Sequence, residues 1–578
     1  MASHVRHALA FQVTCTSANP FTSFLTPRAA CDGNTASSRS EWCDLSIDTD
    51  YTKTVPDTGV TRTYYFDLAE VTVAPDGVER FAMAINGSIP GPAIVADWGD
   101  TVVVHLTNSL STSTNGTSLH FHGIWQRNTN QNDGVASITQ CPTPPGSSIT
   151  YTWRALQYGS TWYHSHFALQ AWQGVFGPIV INGPATANYD EDLGHVFLND
   201  WDHSTVDELY HQAESQGPPV LDNGLINGMN VFGEDGDESQ TGQRFSVSVA
   251  EGSSYRLRLV NGAVDTHFRF SIDNHTMQVI AMDLVPIVPY VTDGISIGMG
   301  QRYDIIITAN QSSVASDFWI RAIPQSACSE NAAEDNIRGI LHYGDSTGTP
   351  TTTGFAYVDA CADEDTTDLV PYLPATVGDD ATWNLGEGVS VGLNAENLFR
   401  WYLNSTTMLV SWDNPTLERI AIDGEAASDF AADDAHSEGD GVIMLDDADA
   451  WIYLVISTTM SVPHPIHLHG HDFFILAQGS GTYSSSTVAL NMANPPRRDT
   501  AMLPASGHLV LAFQTDNPGA WLMHCHIGWH TSEGFALQFI ERYSEISALL
   551  DKDSLQGNCD AWGNHAATSR VVQDDSGV

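Results

Sequence analysis

Positive charge is scarce in this 578-residue chain: 22 Lys and Arg stand against 69 Asp and Glu, a formal net charge of −47. So acidic a chain repels polyanions, which argues against nucleic acid and anionic membranes as partners. Long hydrophobic runs are lacking too. No apolar stretch approaches the roughly 20 residues of a membrane-spanning helix. The N-terminus, MASHVRHALAFQV, has one Arg and a short apolar patch, but His and Gln interrupt it, so it makes a poor signal peptide. No CxxC occurs among the eight cysteines, which argues against a zinc finger. Helical periodicity is sparse, with EISALLDK near residue 545 the one candidate.

What is present is ample core material, 42% hydrophobic and 10% aromatic residues. The length fits about three to four domains. Short segments rich in Val, Ile, Thr, Tyr and Phe recur between Gly, Pro, Asn and Asp: TVVVHLTN, GPIVING, YRLRLVNG, YDIIITAN, AWIYLVIS. This pattern predicts antiparallel β-sandwiches or barrels rather than alternating strand and helix. The cysteines are Cys15, Cys31, Cys43, Cys141, Cys328, Cys361, Cys525 and Cys559. With Cys525 set aside as a ligand and Cys15 as part of a leader, an even set remains. Sequons at Asn86, Asn115, Asn274, Asn310 and Asn404 agree with an oxidising, secreted setting.

An internal repeat divides the chain. HFHG (120–123) is followed by GSTWYHSHF (159–167) and GVFGPIVI; HLHG (467–470) is followed by GAWLMHCHI (519–527) and GFALQFI. Two similar β-domains near the two ends explain it, with a spacer domain of similar build between them. The expected boundaries are a leader at 1–44, domains at 45–184, 185–370 and 371–560, and a tail at 561–578.

Successive side chains alternate on a strand, so HxH sets both imidazoles on one face. Four such pairs exist: His120/His122, His164/His166, His467/His469 and His524/His526. One pair alone is best explained as coincidence. Four in two repeated frames, with His464, Cys525 and His530 beside them, point to metal. Ten histidines and one cysteine are too many for a single zinc. Calcium and magnesium prefer oxygen ligands. Imidazoles with one thiolate suit copper. Cys525 faces away from His524 and His526, so it can join His464 and His530 in a mononuclear site, while the other eight histidines form a cluster behind the sheet. In the first repeat Ser165 stands at the Cys525 position and Gln170 at that of His530, so the mononuclear site is expected once only.

HFHG, HSH, HPIHLHGH (464–471) and HCHIGWH (524–530) resemble the four copper motifs of multicopper oxidases, in order and in spacing, from about residue 60 to the C-terminus. GSIPGP (87–92), NPPRRD (494–499), TDNPGAW (515–521) and the terminal DSGV are similar to ascomycete laccases within that family. The resemblance implies an all-β fold of three cupredoxin-like Greek-key β-barrels holding four copper ions. His464, Cys525 and His530 would bind type 1 copper, and His120 and His467 type 2. His122, His164 and His526 would bind one type 3 copper, and His166, His469 and His524 the other. The implied activity is one-electron oxidation of phenols or aromatic amines, received at His530, coupled to reduction of dioxygen to water by a secreted monomer. Phe535 stands where some relatives have an axial Met; Phe cannot coordinate, which favours Cu(I) and a higher potential. Asp133 in QNDG matches an acid that serves proton delivery. A second acid should orient the phenol, and in VFGEDGDESQTGQ the choice falls on Glu238. DSGV would end near the solvent channel of the cluster. The implied disulfides are Cys31–Cys43, Cys141–Cys559 and Cys328–Cys361. Two rival readings are a metal-ion oxidase such as a ferroxidase and a copper-storage protein; storage has no need of a Cys between two ligand histidines.

Overall fold

The computed structural model describes residues 31, 33–113, 115–378, 383–430 and 438–578. Cys15 and most of the expected leader lie outside the described residues. Three β-units follow one another, each of two packed sheets. In the first, Arg80–Ile85, Thr61–Val73, Thr101–Asn108 and Ser148–Arg154 form one sheet, and Ile94–Asp97, Phe176–Asn182, Gly159–His164 and His120–Phe121 the other. The second and third units each pack a six-stranded sheet on a five-stranded one.

Alternation decides which side chains enter the barrels. In Thr101–Asn108 the residues Val102, Val104 and Leu106 are buried, while Thr101, Val103 and His105 are partly exposed. Trp451–Thr458 repeats this pattern. Gly159–His164 and Gly519–Cys525 are buried at every position, because one face meets the barrel core and the other meets a neighbouring unit. These two strands carry His164, His524 and Cys525, and lead directly into His166 and His526.

The sheets are not purely antiparallel as the strand pattern implied. Thr61–Val73 runs parallel to Thr101–Asn108, Glu191–Trp201 to Ser254–Asn261, and Trp383–Leu393 to Trp451–Thr458. The same parallel pair recurs in each unit, which is a repeat that residue patterning cannot show, since strand direction is set by the connections.

The ends differ from expectation. Glu41–Trp42 and Leu45–Ser46 form a hairpin whose Trp42 enters the first core, so the segment from Cys31 belongs to the first unit. Lys552–Ala566 is a helix, and its Trp562 is 1% exposed. The last four residues, Asp575–Val578, are buried as well. The stretch expected to be a tail is therefore packed at both ends, through Trp562 and through residues 575–578. Helix Val206–Gln216 was not foreseen; Thr205 and Glu208 close its N-terminus with a reciprocal capping box. Disulfides join Cys31 to Cys43, Cys141 to Cys559 and Cys328 to Cys361. The second ties the C-terminal helix to the first unit across 418 residues of sequence.

Candidate metal centre

The two repeats fold in one register. His120 pairs with His164 across the strands of the first unit, and His467 pairs with His524 in the third. Each HxHG ends in a glycine with positive φ, Gly123 and Gly470. A Cβ at Gly123 would collide with the Asp499 carboxylate of the third unit, so glycine there lets the two units close on each other, while one at Gly470 would collide with the Trp521 ring inside the third unit.

Closure brings eight imidazoles together. The His122 and His467 rings stack at 3.8 Å, and His120 lies 4.0 Å from His469. His166 lies 5.2 Å from His469 and 5.3 Å from His524. His526 lies 5.1 Å from His122 and 5.6 Å from His164.

The hydrogen bonds show which nitrogens face inward. Nδ1 of His120 donates to the Asp133 carbonyl (2.8 Å), and Nδ1 of His469 to the Asp133 carboxylate (2.8 Å). Nδ1 of His467 donates to the Asp499 carbonyl (2.9 Å), and Nε2 of His122 to its carboxylate (3.2 Å). Nδ1 of His164 and of His524 each donate to the carbonyl of the next residue at 2.9 Å. The other nitrogen of each of these six rings is buried without a partner, and so are both nitrogens of His526. So many orphaned lone pairs converging in one buried place would be costly without a cation. An outward N–H and an inward lone pair is the arrangement of a metal-bound imidazole. Burial also pushes His122, His164, His166, His469, His524 and His526 well below the usual histidine range, which keeps them neutral and ready to ligate.

A second group lies behind this strand. Sγ of Cys525 is 3.5 Å from Nδ1 of His530 and 3.9 Å from Nδ1 of His464, and the two Nδ1 atoms are 3.3 Å apart. Three soft or borderline donors share one focus, which fits copper. Burial pushes the Cys525 thiol well above its usual range and His464 down to about 3. Only a cation at that focus would favour the thiolate. Cys525 and His464 are fully buried, while His530 keeps 7% exposure and forms the outer edge. Phe535 packs 5.1 Å from the His464 ring and stacks over Trp401 at 5.5 Å.

Asp133 is wholly buried and anchors two histidines of the cluster from one position. Glu238, by contrast, stands exposed between the strands Val231–Phe232 and Thr241–Gly242. Its loop neighbour Asp235 pairs with Arg244 and Arg338. The structure thus leaves Glu238 away from the outer site and sets two other carboxylates near it: Asp265, buried in the second unit, whose charge reaches Cys525, and Glu533. The Glu533 side chain accepts from Trp401 Nε1 at 3.0 Å, and the Trp401 ring lies 4.2 Å from His530. Sequence reasoning erred because the loop that holds Glu238 has no fixed spacing from His530, and it missed Trp401, which comes from a strand 129 positions before that histidine. It also missed the role of Asp499, quoted only as the end of NPPRRD. Arg302 from the second unit donates to both Asp499 oxygens, so all three units meet behind His122 and His467.

Comparison with known proteins agrees with this geometry. Multicopper oxidase family profiles match residues 67–186, 194–346 and 409–545. A laccase of Botryotinia fuckeliana, Laccase-2, is 45% identical over 99% of this chain and 98% of its own. The crystal structure of the laccase from Botrytis aclada superposes with a TM-score of 0.88 at 45% identity, covering 94% of this chain and 99% of that one. That of Fet3p, a multicopper oxidase that functions in iron import, superposes with a TM-score of 0.77 at 25% identity over 89% and 96%. The chain, with its three cupredoxin-like barrels and its two converging histidine groups, belongs to the multicopper oxidase family.

Proposed function

We propose that this enzyme is a laccase that oxidises phenols and aromatic amines and passes their electrons to dioxygen. One observation carries the reading above all. Cys525 belongs to the outer His464–Cys525–His530 group, and its two chain neighbours, His524 and His526, belong to the inner cluster. A donor-side site and a multi-electron site are thus joined through a few covalent bonds. Four bound coppers, one type 1, one type 2 and two type 3, supply the redox chemistry: single-electron uptake from the donor and four-electron reduction of dioxygen to water.

The residues divide the work. His464, Cys525 and His530 would hold the type 1 ion; His120 and His467 would hold type 2. His122, His164 and His526 would hold one type 3 ion, and His166, His469 and His524 the other. Phe535 packs against the His464 ring and would bring no donor atom to the type 1 ion. His530, the least buried ligand, is the contact for the donor, with Trp401 shaping the wall beside it. Asp133 and Asp499 are positioning residues that fix ring orientation from behind, and Asp133, a carboxylate bonded to His469, would also serve proton delivery to the cluster. Val578, 2% exposed, lines a cavity with His164, His166, His524 and His526, so the C-terminus closes the approach to the cluster. The three disulfides support a secreted protein. One chain carries both sites whole, so a monomer suffices.

Oxygen uptake by the copper-loaded enzyme with a dimethoxyphenol, then with Fe(II), tests this. Rapid uptake with the phenol and little with iron is expected. Uptake with iron alone would move the protein to the metal-oxidase side of the family, where Fet3p stands.

A further inference from the structure

The first unit has its own counterpart of the outer metal site. His164 pairs with Phe176 on the next strand as His524 pairs with Ala536, 12 residues on in each case. The Ser165 amide donates to the Val175 carbonyl (2.9 Å) as the Cys525 amide does to that of Phe535 (3.1 Å). Counting from the paired histidines, Thr117 occupies the place of His464, Ser165 that of Cys525 and Gln170 that of His530. Gln170 even opens a short helical turn, as His530 sits in one.

These three side chains meet, as the ligands of the other unit do. The Thr117 hydroxyl donates to Gln170 Oε1 at 2.6 Å, and the Ser165 hydroxyl donates to the same oxygen at 2.7 Å. Gln170 Nε2 donates to the Gly116 carbonyl at 3.2 Å and approaches the Met83 sulfur at 3.6 Å. Thr117, Ser165, Gln170 and Met83 are all buried. Ser165 lies between His164 and His166 in sequence, so whatever fixes it fixes the turn from which both imidazoles project.

We propose that Thr117, Ser165 and Gln170 form a metal-free positioning triad, which occupies the frame of a second mononuclear site and holds His164 and His166 in place for the type 3 pair. The inference rests on the multicopper oxidase reading of the cluster. An uncharged triad also leaves a single route for electrons into the cluster, through Cys525. Three donors and acceptors satisfied within the frame perform the geometric part of the role that a metal performs in the third unit, without its redox chemistry.

The test is to delete one bond at a time, with T117V and S165A, and to use T117S as the conservative control. Copper-loaded variants are examined by the visible thiolate band, by the near-ultraviolet band and EPR-silent fraction of the coupled copper pair, and by kinetics. T117V and S165A are expected to keep the visible band and the KM for a phenol. They are expected to lose coupled-pair copper and about tenfold in kcat, the loss typical when a ligand's supporting bond is removed. T117S should match the parent. Parent-level coupled copper and kcat in both T117V and S165A would overturn the proposal. So would equal loss of the visible band, which would mark general unfolding instead. If phenol oxidation failed in the parent but the copper signals still followed this pattern, the laccase reading would fall and the triad would stand.

Discussion

Arg302 donates to both carboxylate oxygens of Asp499, at 2.7 and 2.5 Å, and the same carboxylate accepts from His122 at 3.2 Å. Burial would push the Asp499 carboxyl up. The Arg302 charge outweighs it and, with bonds from Arg302, His122 and His467, holds the group well below the usual range. The pair therefore fixes His122 and His467 from behind while locking the second unit against the third.

Asp499→Ala removes the bidentate partner of Arg302, which keeps its ion pair with Asp283 at 3.4 Å, so the loss should stay below the roughly 3–5 kcal/mol of a charge left wholly unpaired. The variant is expected to lower the melting temperature and the copper content together. A melting temperature equal to the parent's would show that Asp283 alone satisfies Arg302.

Cys525→Ser removes the one soft anionic donor and leaves both neighbours in place. The visible thiolate band should vanish, phenol oxidation should fall to background, and the coupled-pair signals of the inner cluster should persist. Copper analysis alongside spectroscopy distinguishes this from collapse of both sites.

Glu533 makes stability depend on pH. Burial raises its carboxyl from an ordinary 4.5 to about 8, against the lowering effect of its bond from Trp401. Between about pH 4.5 and 8 the unfolded chain gives up this proton and the folded chain keeps it. The folded state is therefore fully favoured below that window and loses stability as pH rises through it. In the metal-free protein, Glu533→Gln should flatten the decline in melting temperature between pH 5 and 8. A slope identical to the parent's would assign the decline to other buried acids, such as Asp472 and Asp575, each raised to about 7.

The C-terminus is held by specific bonds. The Ser576 amide and hydroxyl donate to the carbonyls of Ser532 and Thr531, and the Ser137 hydroxyl donates to the Gly577 carbonyl. Deleting residues 575–578 should change kcat and the KM for dioxygen while the visible band stays. Unchanged turnover would mean that Val578 does not control access.

Much of the site was legible because its ligands lie close in sequence on strands. HxH spacing sets two imidazoles on one face whatever surrounds the strand, and an intervening Cys must then face the other way. That alone separates the outer group from the cluster. The aspartates were harder. Asp133 was singled out through its match to a proton-delivering acid and Asp499 was quoted only within a motif, and nothing in their spacing says which imidazoles they meet. Glu238 was chosen from an acidic loop whose path cannot be counted from His530.

The chain by itself thus determined which atoms could bind metal and how they divide, because local backbone geometry decides the direction of neighbouring side chains. The tertiary structure decided what lies behind and beside them: Arg302 from the second unit against Asp499, Trp401 against His530 and Glu533, the packed C-terminus against the cluster. Those contacts join residues far apart in sequence, and only the closing of the three barrels on one another brings them within bonding distance.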